Sequence, residues 1–173
     1  MSLSEICNLA AGSRRKPEPK ITTVESLSAT KFDVAELAER VARNIHQHDY
    51  YGRGANVPYT IHLSDVANNV TGAFYKAVAW LHDSLEDHPE FTRDDLIDQH
   101  GIPAQVVDVV EIITKKPDEE YEQYIIRVSK SYAATVVKVA DLLSNLRAQP
   151  PKRLVRRYAK ALTVLTSKMI PNL

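Results

Sequence analysis

Apolar residues recur at three- and four-residue spacing from Val34 through Leu37, Ala38, Val41 and Ala42 to Ile45, the stripe of one amphipathic helix face. Asp33 stands immediately before it as a natural N-cap. The stretch from Asp49 to Pro58 carries Gly52, Gly54, Asn56 and Pro58, which is loop chemistry, and the pattern then predicts a short helix over Ser64–Thr71 that stops before Gly72. Ala73–Leu85 is apolar almost all round, which predicts a helix central to a core. Thr92 with Asp95 three residues on resembles a capping box, opening a helix that closes at Gly101. Pro103 opens another, whose buried stripe is Val106, Val107, Val110 and Ile113. Helices over Asp118–Val128 and Tyr132–Arg147 follow, and Pro150–Pro151 precede a last, basic helix reaching Met169.

One segment tests this reading. Thr135, Val136, Val137 and Val139 favour extended chain, yet Asp141 to Leu146 continue without a breaker and no alternating partner strand exists elsewhere. The fold class is therefore all-α, a compact multi-helix bundle. Residues 1–32, polar and basic around Pro17 and Pro19, are expected to form a partly disordered arm, with residues 33–173 as the domain.

Composition narrows the function classes. With 22 Lys+Arg against 22 Asp+Glu the net charge is +0, which disfavours nucleic acid or an anionic membrane as partner. Cys7 is the only cysteine, so neither an internal disulfide nor a multi-cysteine zinc site can form. No apolar run approaches the ~20 residues of a membrane span and no signal peptide is evident, so a cytoplasmic location is expected.

Chemistry enters where polar residues interrupt apolar helices. His82 and Asp83 end the core helix, with Glu86 one turn further on the same face and Asp87 beside it. Asp141 sits inside the apolar helix 133–146, sharing a face with Lys138 and Asn145. A Lys138–Asp141 ion pair on a solvated side is the competing explanation, and Val136, Val137, Val139, Ala140, Leu142 and Leu143 leave little such side. His46 or His48, at the end of the first helix, offers a second imidazole. Two imidazoles and two carboxylates suit Mn²⁺ or Fe²⁺ better than a closed structural zinc site.

The order His, then His-Asp, then a distant Asp resembles the HD superfamily of metal-dependent phosphohydrolases. His82-Asp83-x-x-Glu86-Asp87, Pro58-Tyr59-Thr60-Ile61-His62, Thr114-Lys115, and Lys138-Val139-Ala140-Asp141 with Asn145-Leu146-Arg147 resemble the RelA/SpoT hydrolase domain, especially its small alarmone hydrolases, over residues 35 to 148. The resemblance implies an HD-domain bundle and a Mn²⁺-dependent (p)ppGpp 3′-pyrophosphohydrolase of the stringent response. It makes His46, His82, Asp83 and Asp141 the metal ligands and Glu86 with Asp87 the catalytic acidic pair. Asn145, Arg53 and Lys138 would bind substrate, and His62 would be structural. The partner is then a small nucleotide, with homo-oligomerisation open. A 5′-nucleotidase of the same superfamily and a non-catalytic nucleotide sensor are the alternatives.

Two features shape the expected substrate surface. Asp49, Tyr50, Tyr51 and Gly52 stand where the family carries a Gln and an Arg-Lys stretch, leaving Arg53 as the nearby cation and two rings able to stack on a base. Residues 82–122 hold 13 acids against 3 bases while residues 145–173 hold 7 bases and no acid, so positive potential for a phosphate must come from Arg53, Lys138, Arg147 or the last helix.

Overall fold

The computed structural model describes residues 33–51 and 56–169. The expected N-terminal arm and Arg53 lie outside the described residues. Helix α1 (Val34–Ile45) begins as its sequence requires: the Asp33 carboxylate accepts from the Ala35 N–H at 2.9 Å, and Ala38, Val41, Ala42 and Ile45 form the buried stripe. A two-residue antiparallel pair follows, β1 (Tyr50–Tyr51) against β2 (Val57–Pro58). Helix α2 runs Thr60–Asn68, one turn earlier than the sequence pattern predicts.

Helix α3 (Ala73–Leu81) is the centre of the core, with Ala77 to Leu81 all buried; α1, α2, α5 and α7 pack on it. The expected continuous helix to Leu85 breaks at His82 and Asp83 and resumes as α4 (Ser84–Asp87), so the HD pair occupies the corner between them. Thr92 and Asp95 do form a reciprocal cap: Thr92 N–H donates to the Asp95 carboxylate and Asp95 N–H to Thr92 Oγ. They open a single π-helical turn (Asp95–Gln99), which Gly101 ends at φ 69°, a conformation costly for a residue with a Cβ.

Helices α5 (Ala104–Ile113), α6 (Tyr121–Val128), α7 (Tyr132–Arg147) and α8 (Lys152–Met169) complete the described chain. The β-branched run is helical within α7, capped by Ser131, whose hydroxyl accepts from Ala134 N–H at 3.3 Å. Burial of Ala134, Val137, Ala140 and Leu142 against neighbouring helices outweighs the tenths of a kcal/mol that β-branching costs a helix. The architecture is all-α, and no described helix is long and apolar enough to cross a membrane.

Candidate metal centre

Four side chains from three parts of the fold converge. His62 comes from the first turn of α2, His82 and Asp83 from the corner after α3, and Asp141 from the middle of α7. His82 Nε2 lies 2.9 Å from Asp83 Oδ2 and 3.6 Å from Asp141 Oδ1; His62 Nε2 lies 3.3 Å from Asp141 Oδ1 and 3.7 Å from Asp83 Oδ2. His62, His82 and Asp141 are buried.

The tautomers suit a cation. His82 Nδ1–H donates to the Ala79 carbonyl at 2.7 Å, which turns the Nε2 lone pair into the cluster. Among the described residues, that buried Nε2 has no aligned hydrogen-bond partner. His62 Nδ1 shares a 3.2 Å hydrogen bond with Ser144 Oγ, so its Nε2 also faces inward. An orphaned imidazole nitrogen beside two carboxylates is a donor set that fits a divalent ion.

Electrostatics agree. Burial alone would lower the basicity of His82, but the adjacent Asp83 and Asp141 outweigh it and raise it to about 10. Without an ion, the excess negative charge thus draws in a proton. Burial likewise disfavours the Asp141 carboxylate, yet Lys138, His62 and His82 hold it ionised well below the usual carboxylate range. Tyr59 is pushed up by burial and by Asp83, so it stays a phenol and donates to Asp83 Oδ2 at 2.5 Å.

His46 does not join this group, contrary to the sequence expectation. Its Nδ1–H donates to Asp49 at 2.7 Å, and its Nε2 faces Ser84 Oγ at 3.4 Å, so both nitrogens point elsewhere. His62, expected to be structural, takes the place. The reason is the early start of α2, which turns His62 onto the buried face shared with Val66. His48 is exposed. The Lys138–Asp141 pair set aside above does form, at 2.8 Å, but in a buried setting with side chains 12% and 4% exposed, so it coexists with the centre.

Around the centre, a cavity of about 690 Å³ is lined by Glu86, Lys115, Lys138, Asp141, Asn145 and Arg157, among others. Glu86 accepts the Lys115 backbone N–H at 2.9 Å, which orients its carboxylate. Asn145 donates to Asp141 at 2.6 Å and accepts from Tyr51 at 2.9 Å, leaving one N–H and one lone pair for a ligand. Tyr51 stacks on His62 at 5.4 Å, so that ring is committed, whereas Tyr50 is 60% exposed. Of the last helix, Arg157 reaches the cavity; Lys152, Arg156 and Lys160 are exposed.

Asp87 is pushed up to about 6, first by loss of hydration and then by the carboxylates of Asp83, Glu86 and Asp49. Its folded value exceeds the ordinary 3.8, so the ionised form costs stability, and that cost is full above pH 6 and relieved as pH falls toward 4. We expect metal-free Asp87→Asn to be more stable than the parent at pH 7.5, with the gap closing between pH 6 and 4. Denaturant titrations at those pH values check this, and a gap independent of pH would place its cause outside the charge.

A solved structure supplies the comparison. The chain is similar to a metazoan ortholog of SpoT that hydrolyzes ppGpp and plays a role in starvation responses, with a TM-score of 0.64 and 20% identity over 80% of this chain and 86% of that one. The two share a fold. No family model and no curated protein matches the chain.

Proposed function

We propose that this protein is a metal-dependent phosphohydrolase that removes pyrophosphate from the 3′ position of a guanosine tetra- or pentaphosphate alarmone or a close relative. The observation that carries the reading is the orphaned His82 Nε2, aimed with His62 at the Asp83 and Asp141 carboxylates beside an open cavity. The shared fold with a ppGpp hydrolase supports the substrate class.

His62, His82, Asp83 and Asp141 would hold the ion, with Mn²⁺ matching the N/O donor set. When bound, it supplies Lewis acidity that polarises the phosphate and activates water. Asp87, beside Glu86 on α4, would accept a proton from the water and return it to the leaving ribose 3′ oxygen. Glu86, fixed by the Lys115 N–H, orients the water. The bond broken joins the 3′ oxygen to phosphorus, and pyrophosphate departs toward Arg157 and Lys138. Asn145 offers its free N–H and lone pair to a ribose hydroxyl, and the exposed ring of Tyr50 is available to a base.

The test is a product assay with Mn²⁺ on ppGpp and on nucleoside 5′-monophosphates. Pyrophosphate release from ppGpp is expected. Orthophosphate from the monophosphates alone would move the protein to the nucleotidase alternative, and no turnover on either would remove it from the hydrolases.

A further inference from the structure

A second cluster lies outside this centre. His46, buried at the end of α1, and His88, in the turn after α4, both point at one oxygen of Asp49: His46 Nδ1 and His88 Nε2 each lie 2.7 Å from Asp49 Oδ2. The three donor atoms lie within 4.8 Å of one another, and the two rings meet edge to face at 4.7 Å. The Tyr59 ring sits 5.3 Å from the rings of both His46 and His62, standing between the two clusters.

We propose that His46, Asp49 and His88 form a second metal site, for a divalent ion of the Zn²⁺ class, separate from the His62–His82–Asp83–Asp141 centre. Side-chain rotation alone can bring donors spaced within 4.8 Å to one ion at about 2.0–2.2 Å. Two imidazoles and one carboxylate are a common zinc donor set that leaves a position for water. The outer shell is in place. His88 Nδ1–H donates to Glu90 at 3.0 Å, the carboxylate–histidine arrangement that orients a ligating ring. His46 has Ser84 Oγ at 3.4 Å from Nε2, ready to accept the proton that moves there once Nδ1 binds metal. Binding shifts the His46 proton from Nδ1 to Nε2 and displaces one proton from His88 Nε2, where each now faces Asp49. The ion would tie the end of α1 and the residue before β1 to the turn after α4.

The experiment measures metal content of the full chain by elemental analysis, after chelator treatment, reloading with Zn²⁺ and desalting. Two ions per chain are expected in the parent, and one each in His88→Gln, Asp49→Asn and His62→Gln. The ion still held by the first two variants reports that they are folded. Co²⁺-loaded His62→Gln should show visible ligand-field absorption that His62→Gln/His88→Gln lacks. A parent that retains one ion, lost in His62→Gln and kept in His88→Gln, would overturn the second site; the triad would then be a proton-sharing network only. If instead His88→Gln and Asp49→Asn lose an ion that His62→Gln keeps, and no second ion is found, the triad is a metal site and the first centre fails.

Discussion

Replacing His62 with Ala will strip the divalent ion from the HD centre and lower turnover by about 10³ or more, whereas His46→Gln will leave that ion in place. The magnitude follows from the several kcal/mol that a metal contributes to transition-state charge stabilisation, at about 1.4 kcal/mol per decade of rate. The assignment follows from where each nitrogen points. His62 Nε2 faces Asp141 and Asp83 at 3.3 and 3.7 Å, while His46 is turned to Asp49 and Ser84. Manganese content and initial rates of both variants check it. The idea fails if His46→Gln empties the centre while His62→Ala keeps its ion and its rate.

That exchange of histidines shows where the sequence could be read and where it could not. Asp141, His82 and Asp83 were legible because each is a polar residue on an otherwise apolar helix, and burying such a group requires a partner. His62 satisfies the same criterion, since it precedes Val66 by four residues on the buried face of α2. Starting the helix at Ser64 hid it. The N-cap position is occupied by Tyr59, which makes no side-chain capping hydrogen bond, so no capping side chain marks the true start. The contacts of Tyr51 with Asn145 and of His88 with Asp49 join residues 94 and 39 apart, and only the packed helices bring them together. The element types were legible because long periodic stripes set them, as in α1 and α7, and in α1 Asp33 caps as expected.

Lys138 joins the fold and the chemistry, and its replacement has the second large expected effect. The ammonium lies 2.8 Å from Asp141 Oδ2 and 5.4 Å from the Tyr124 ring centroid. Burial disfavours its charge, but Asp141, then Tyr124 and Asp83, outweigh that and keep it protonated well above its ordinary value. In the metal-free chain Lys138 therefore offsets part of the negative charge of Asp83 and Asp141. Met has nearly the same length and fills the space, so Lys138→Met removes the charge with little cavity. Breaking a buried pair by removing one partner costs about 3–5 kcal/mol, against about 0–1 kcal/mol for an exposed pair. With side chains 12% and 4% exposed, this pair belongs to the first class. Metal-free Lys138→Met should therefore lose about 3–5 kcal/mol in denaturant unfolding. Saturating Mn²⁺ should shrink that loss, because a dication held by Asp83 and Asp141 supplies the missing positive charge. The loss should shrink even though Lys138 is not a ligand, and this tests charge compensation: an equal loss with and without Mn²⁺ would mean that the directional Lys138–Asp141 hydrogen bond, not positive charge beside Asp83 and Asp141, is what the fold needs.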